Sequence, residues 1–208
     1  MGRSRPSRCE RLFRVLGEYQ DILVVTHNNP DPDAIASGWA LLVLVRKCLR
    51  KPARLIGRGP ILRAENLYFL HLLHPPIELM EEIQVGTHTA AILVDCAPGS
   101  MNHLLAGVVD PIAVIDHHEI QDARIRIPFR DIRPRVAASA SITATYLREQ
   151  GIEPSRDLAT ALLYAIRTEL RGSKATLTRV DHAVLAWLTA FGNHDVLEDI
   201  ENAPLPRF

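Results

Sequence analysis

The chain has 208 residues, of which 47% are apolar, enough to bury the core of one domain with at most a small extension. Its 24 basic and 24 acidic side chains give a formal net charge of zero, which argues against non-specific nucleic-acid binding through global charge. Three widely spaced cysteines form no CxxC pair, and the longest apolar run, "WALLVLV", is too short to cross a bilayer. We therefore expect a reduced, cytoplasmic setting without a membrane partner.

The first half of the chain alternates helical and strand-like segments. Residues 7–20 have helical spacing, and the run "DILVVTH" at 21–27 predicts a buried strand. A mostly apolar helix is predicted over 33–50, followed by a short strand at 53–57. Residues 64–73 then predict a helix that two prolines close.

The second half continues this alternation and then becomes helical. Strands are predicted at 89–96 and 111–118, with a short helix or turn at 99–107 between them. An alternating segment at 123–131 predicts a further strand near an edge of the sheet, because a proline interrupts it. The predicted helices that follow are 139–151, with a serine at its start and a glycine at its end as caps, then 156–170, 180–192 and 194–202.

Apolar strands alternating with helices predict the α/β class. We expect a three-layer α/β/α arrangement with a mainly parallel, doubly wound sheet of about five strands, followed by a helical C-terminal region. In such sheets, ligands bind beyond the carboxyl ends of the strands. The sequence has no GxGxxG, P-loop or GxSxG motif, so dinucleotide, P-loop and serine-hydrolase sites are not indicated.

Three of the predicted strands end in residue types that bind metals. The first is followed by "THNNPDPD", the third ends in "LVDC" and the fourth in "VIDHH". Since the carboxyl ends of parallel strands share one edge of the sheet, we expect these side chains to converge. The set comprises His27, Asp31, Asp33, Asp95, Asp116, His117 and His118.

This mixture of carboxylates and imidazoles suits a pair of divalent cations. Mn²⁺, Zn²⁺, Fe²⁺ and Co²⁺ accept both ligand types, whereas Mg²⁺ prefers oxygen alone. Asp95, at the tip of a central strand, is placed to bridge two cations, and the next helix is expected to begin at Ala34. An aspartate at a strand end can also simply cap the following helix. Clustered carboxylates without a metal would be costly, however, because like charges repel.

The segments "HNNPDPDAIAS", "LVDCAPG" and "VIDHH" resemble, in order and spacing, three motifs of the DHH phosphoesterase superfamily. The superfamily includes RecJ-like exonucleases, nano-RNases, cyclic-dinucleotide phosphodiesterases and family II pyrophosphatases. The form "HNNPDPDA" is most similar to the nano-RNase and bifunctional oligoribonuclease branch. The resemblance implies an N-terminal helix in 1–20, a catalytic DHH domain over 21–202, and the start of a linker at 203–208, with the usual C-terminal substrate-binding (DHHA1-like) domain absent.

The resemblance also implies a role for each residue of the set. His27 and Asp31 would hold one cation, Asp33 and His117 the other, and Asp95 would bridge them. The catalytic residues would be His118, Asp95 and Asp116, with His118 binding the scissile phosphate and Asp116 supporting the histidine pair. Substrate-binding positions would be His118, Asn28 and Ser139. The fourth motif of the family carries an aspartate ligand, and this sequence has "AIRTEL" there, so Glu169 would take that place or leave the site one ligand short.

The activity implied is that of a phosphoesterase, or exonuclease-type hydrolase, with two Mn²⁺ ions, for which Mg²⁺, Co²⁺ or Zn²⁺ could substitute. Short RNA or DNA oligonucleotides or phosphorylated nucleotides are the expected substrates, and a homodimer is compatible with the family. Neutral charge and 5% aromatic residues fit short substrates better than long single strands. The alternatives are a cyclic-dinucleotide phosphodiesterase, a pyrophosphate or polyphosphate hydrolase and, in another class, a catalytically impaired nucleotide-binding module.

Overall fold

A parallel six-stranded sheet forms the centre of the protein in the computed structural model, which describes residues 6–97, 99–119, 126–172 and 176–203. This confirms the predicted α/β class and the parallel sheet. The spatial order of the strands is β3-β2-β1-β4-β5-β6. The strands are β1 (Asp21–Val25), β2 (Ala53–Gly57), β3 (Ile77–Leu79), β4 (Thr89–Val94), β5 (Ala113–Asp116) and β6 (Phe129–Ile132).

The register brings the ends of the central strands to one level. Val25, the last residue of β1, is paired with Ile56 of β2 on one side and with Leu93 of β4 on the other. Val94, at the end of β4, is paired with Ile115 of β5. Because all these pairs are parallel, the residues that follow β1, β4 and β5 emerge at the same edge of the sheet.

The part of the chain that the structure describes contains seven α-helices. A π-helical turn, Val45–Leu49, extends α2, and Arg50 ends it in the left-handed conformation. The C-terminal half of the chain is helical, as predicted. The helices are α1 (Arg8–Leu16), α2 (Pro32–Leu44), α3 (Ala64–Leu73), α4 (Ser139–Glu149), α5 (Arg156–Gly172), α6 (Arg179–Thr189) and α7 (His194–Glu201).

The helices pack on one face of the sheet, in a single large core. Buried side chains of all seven helices join one strand face, represented by Val24, Ile92 and Ile115, in this core. The opposite face, with Val25 and Leu93, is covered by residues of turns and loops. Among the described residues, the second helical layer of the expected three-layer arrangement is therefore replaced by irregular segments.

Local details differ from the sequence predictions in three places. The short edge strand β3 was not predicted, because its three residues directly follow a pair of prolines and carry little strand pattern. The strand predicted at 123–131 is observed as β6 at the other edge, and residues 123–125 lie outside the described part of the chain, as do 204–208 of the expected linker. Helix α2 begins at Pro32 and not at Ala34, because Asp31 caps it.

A buried polar cluster ties α1, β6 and α4 together. Asp131 on β6 is fully buried and forms ion pairs with Arg8 and Arg133. The Tyr146 hydroxyl of α4 donates a hydrogen bond of 2.5 Å to the same carboxylate. Because Tyr146 lies on α4 and Asp131 on β6, this hydrogen bond fixes the position of the helix relative to the sheet.

We expect Tyr146→Phe to lower the free energy of unfolding by about 1.5–3 kcal/mol, because it removes a buried hydrogen bond to a charged group. The measurement is urea unfolding followed by circular dichroism. Tyr68→Phe, at a partly buried tyrosine on α3, is the matched control and should be close to neutral. Equal losses in the two variants would contradict this account of the cluster.

None of the described helices combines the length and apolarity that a membrane span requires.

Candidate metal centre

The loop after β1 presents His27 and Asp31 at the carboxyl edge of the sheet. Asp31 is the N-cap of α2, where its Oδ1 accepts a hydrogen bond from the Ala34 N–H at 3.0 Å. Its Oδ2 lies 3.8 Å from His27 Nε2. His27 Nδ1 donates to the Asn28 carbonyl at 2.8 Å, so Nε2 is the nitrogen left with a free lone pair. One backbone bridge to His103 in the loop after β4 fixes the position of His27.

Asp33 lies in the first turn of α2 and is 1% exposed. Its Oδ2 and Oδ1 accept hydrogen bonds of 2.8 Å from the backbone N–H groups of Ser139 and Ala140. This carboxylate therefore satisfies the N-terminus of α4, where the sequence predicted a serine side chain as the cap. These two hydrogen bonds connect the first turn of α2 to the first turn of α4.

Asp95 follows β4 at the centre of the edge. Its φ of +53° is uncommon for a residue with a side chain, and turn residues follow it, so it does not cap a helix. It is 4% exposed, and its Oδ1 accepts a hydrogen bond of 3.0 Å from the Ser139 hydroxyl. Asp95 Oδ2 lies 3.8 Å from His27 Nε2, and Oδ1 lies 3.6 Å from His117 Nε2. Its two oxygens thus face histidines from two different loops.

Asp116, His117 and His118 close the site from β5. Asp116 is fully buried, and its Oδ1 accepts from the backbone N–H groups of both histidines, at 2.8 and 3.1 Å. The same oxygen accepts from His118 Nδ1 at 2.8 Å, so that nitrogen carries the proton. Among the described residues, buried His117 Nε2 has no hydrogen-bond partner, and it lies 3.6 Å from Asp33 Oδ2 as well as from Asp95 Oδ1.

Two groups of side chains have the geometry needed to hold a cation. In each group, one ligand atom per residue lies within 4.8 Å of the others. The first consists of His27, Asp31 and Asp95, and the second of Asp95, His117 and His118. His118 Nδ1 is already the donor to Asp116, whereas Asp33 Oδ2, which accepts one hydrogen bond from the Ser139 N–H, lies 3.6 Å from His117 Nε2. Both groups share Asp95.

The electrostatics of the cluster favour a bound cation. Burial, reinforced by neighbouring carboxylates, raises the pKa of Asp33 and of Asp95 well above the ordinary value. Burial, with the neighbouring His118, lowers the pKa of His117, so its imidazole is favoured in the neutral form that binds metals. A divalent cation would offset the repulsion between the carboxylates and supply the missing partner of His117 Nε2. The donor set therefore fits the cations expected from the sequence.

Of the other predicted site residues, Glu169 lines the same cavity as the candidate ligands but belongs to neither of the two groups. It is partly buried on α5 and lines a cavity of about 250 Å³ together with His27, Asp31, Asp95 and His118. Burial and the Asp31 carboxylate raise its pKa. No ligand group of the described residues includes it.

Ser139 is placed differently from the expectation that it contacts the substrate, and for Asn28 that expectation stays a prediction. Ser139 is fully buried, and its hydroxyl donates a hydrogen bond to Asp95, so it orients that carboxylate. The Asn28 side-chain oxygen is buried without a hydrogen-bond partner, while its backbone N–H donates to the Asn102 carbonyl at 2.8 Å. The cavity is instead completed by Cys96, Ser100 and Asn102, which the sequence pattern did not single out because their position depends on the turns after β4.

Fold and site together define an α/β protein with a candidate centre for two divalent cations at the carboxyl edge of its sheet. Residues 21–166 match the family model described as "DHH family, N-terminal domain", and the chain belongs to this family. The predicted membership in the DHH superfamily is thereby confirmed.

Individual relatives extend this comparison. The uncharacterized protein MJ1633 of Methanocaldococcus jannaschii is 34% identical over 196 residues, covering 94% of this chain and 40% of the relative. The "Probable manganese-dependent inorganic pyrophosphatase" of Exiguobacterium sp. is 31% identical over 148 residues, covering 70% of this chain and 46% of the relative. This chain therefore spans less than half the length of these two curated relatives.

A solved structure confirms the fold. The exopolyphosphatase-related protein from Bacteroides fragilis superposes with a TM-score of 0.74, covering 96% of this chain and 61% of the other at 15% identity. At this identity the likeness concerns the fold alone.

Proposed function

We propose that the protein is a manganese-dependent hydrolase that cleaves phosphoric esters in short oligonucleotides or phosphorylated nucleotides. The observation that carries the proposal is the position of Asp95, whose two oxygens face two separate groups of candidate ligands. Family membership supports the hydrolytic reaction, and the name of the Exiguobacterium relative supports manganese as the metal.

In this proposal, His27 and Asp31 would hold one cation, Asp33 and His117 would hold the other, and Asp95 would contribute a carboxylate oxygen to each. When bound, such a pair of cations lowers the pKa of a water molecule and withdraws charge from a phosphoryl oxygen. The protein contributes preorganisation: the Asn28 carbonyl orients His27, and the N-terminus of α4 orients Asp33. Ligands held in this way need little rearrangement when a cation binds.

His118 is the proposed contact to the scissile phosphate. Its Nδ1–H is fixed on Asp116, so Nε2 is the nitrogen available to a substrate, and the side chain is 56% exposed. The hydrogen bond that His118 donates to Asp116 raises the pKa of His118, which favours the protonated form. A protonated imidazole at this point stabilises negative charge on the phosphoryl group and can transfer a proton to a leaving oxygen.

A second candidate function is the hydrolysis of inorganic pyrophosphate, which the name of the Exiguobacterium relative favours. The experiment that separates the two uses the complete chain with Mn²⁺ and compares a dinucleotide RNA, a cyclic dinucleotide, 3′-phosphoadenosine 5′-phosphate and pyrophosphate. Faster cleavage of the dinucleotide or the nucleotide supports the proposal, and pyrophosphate as the best substrate would replace it. Failure to cleave any of the four, with no cation bound, would favour the impaired nucleotide-binding module.

Glu169 is proposed as an additional ligand that joins the centre when a cation binds. We expect Glu169→Gln to weaken the binding of one of two Mn²⁺ ions by about 10- to 100-fold, because it removes one carboxylate charge from the cavity. Isothermal titration calorimetry measures the two affinities. Glu198→Gln, at an exposed position on α7, is the matched control. Unchanged affinities in the Glu169 variant would mean that this residue only lines the cavity.

A further inference from the structure

A second cavity, which we call the side pocket, adjoins the candidate metal centre. It has a volume of about 350 Å³ and shares His27 and Asp31 with the centre. This volume lies at the lower end of the range of about 300–1,000 Å³ that is typical of small-molecule sites. Its remaining lining residues are Asn29, Pro30, Pro60, Ile61, Leu62, Arg63 and Asn66.

The walls of the side pocket are apolar on two sides. Pro30 comes from the loop after β1, whereas Pro60, Ile61 and Leu62 come from the segment between β2 and α3. Leu62 is 78% exposed, so it contributes an apolar surface that nothing covers in the described part of the chain. These proline, isoleucine and leucine walls favour contact with a flat organic group, because they offer a phosphate no hydrogen-bond partner of their own.

Asn66 supplies a polar side chain to the side pocket. It lies in the first turn of α3 and is only 6% exposed, and its side chain lines the side pocket. Its amide makes no hydrogen bond to the residues that the structure describes, so its donor and acceptor are available to a molecule in the pocket. An amide offers one donor and one acceptor side by side, the pattern that pairs with the edge of a nucleobase.

Arg63 places a positive charge at the side pocket. It immediately precedes α3, is exposed, and forms no ion pair with the described residues. Its charge acts on Glu169, whose pKa it pulls downward against the larger effect of burial. The guanidinium is therefore within electrostatic reach of the cavity in which a phosphate would sit.

We infer that the side pocket binds a nucleobase of the substrate, with the Asn66 amide contacting the polar edge of the base between apolar walls and Arg63 facing the attached phosphate. The inference rests on the proposed function, because it presumes that a phosphate is held at the metal centre. It names the substrate class as a nucleoside phosphate, and it distinguishes this class from pyrophosphate, which has no group that could fill the pocket.

The test is calorimetric and does not depend on turnover. The complete chain with Mn²⁺ is titrated with adenosine 5′-phosphate, ribose 5-phosphate and inorganic phosphate. We expect adenosine 5′-phosphate to bind about tenfold more tightly than ribose 5-phosphate, as expected for about one well-made hydrogen bond in a buried site. Asn66→Leu should abolish this difference by weakening adenosine 5′-phosphate alone.

Two further variants keep the test decisive. Gln84→Leu makes the same amide-to-leucine change in a different cavity, which lies at the amino ends of β1, β2 and β4. This variant should leave all three affinities unchanged. Leu62→Ser, at an exposed position that does not endanger folding, should weaken adenosine 5′-phosphate several-fold and spare ribose 5-phosphate. It covers the case in which Asn66→Leu fails to fold.

The outcomes separate the two proposals. Equal affinities for adenosine 5′-phosphate and ribose 5-phosphate in the unmodified chain would contradict the inference that the side pocket binds a nucleobase. Equal losses of affinity for both compounds in the Asn66 variant would contradict it as well. Either result would leave the proposed function standing. If none of the three compounds requires Mn²⁺ for binding, the proposed function fails, and the inference fails with it.

Discussion

Asp95→Asn is expected to abolish phosphohydrolase activity, with a loss of at least about 10³-fold, because both cation sites lose a charged ligand at once. Asparagine has the same shape and can still accept the hydrogen bond from the Ser139 hydroxyl, so the fold should persist. Calorimetry should show the loss of paired Mn²⁺ binding, with at most one weakly bound ion remaining. Asp110→Asn, at an exposed aspartate before β5, is the matched control and should retain full activity and metal binding.

Thermal unfolding of the same variant distinguishes a ligand from a structural residue. Burial and the nearby carboxylates make an ionised Asp95 unfavourable in the metal-free protein, so the neutral side chain should leave the metal-free unfolding temperature unchanged or raise it. In the unmodified protein, Mn²⁺ at about 100 times its dissociation constant should add about 2.7 kcal/mol of stability, and the variant should lose most of this increment. A variant that still binds two ions with unchanged affinity would refute the bridging role of Asp95.

His118→Ala is expected to lower the turnover number by about 10²- to 10⁴-fold while both Mn²⁺ ions stay bound, because His118 is proposed to act on the phosphate and not on the metals. The reason is structural: its Nδ1 is committed to Asp116, and the ring is more exposed than that of His117. Activity assays and metal titration on the same preparation measure the two effects separately.

The comparison variant for His118 is His117→Ala, which should lose metal affinity as well as activity, since its Nε2 is buried between two carboxylates. His182→Ala, at an exposed histidine on α6, should change neither property. Equal loss of Mn²⁺ from the His117 and His118 variants would show that the two histidines have the same role, contrary to this assignment.

Agreement between sequence and structure is best where a local pattern is strong. Unbroken runs of Val, Ile and Leu fix β1, β4 and β5, and a parallel sheet then requires that their ends share an edge. For this reason the convergence of His27, Asp95 and His117 could be anticipated although the three residues are far apart in the chain. The short strand β3 lacks such a pattern, since pairing with its neighbour β2 is what defines it.

The orientation of the individual side chains could not be predicted in the same way. Ser139 was expected to contact the substrate, but the packing of α4 against α2 buries it behind Asp95. Asp33 was expected only as a ligand, yet it also caps α4 across more than a hundred residues of sequence. Asn66 lies in an ordinary helical segment. Only the structure shows that its amide lines a cavity and has no hydrogen-bond partner among the described residues.

The sequence by itself determined the α/β class, the edge of the sheet that carries the site, and the family, because these depend on hydrophobic runs and on motifs that are contiguous in the chain. Only the tertiary structure decided which nitrogen of each histidine is free, which carboxylates are buried together, and which cavity adjoins the centre. The physical reason is that hydrogen-bond partners and desolvation are set by neighbours that are distant in sequence, and no local pattern encodes them.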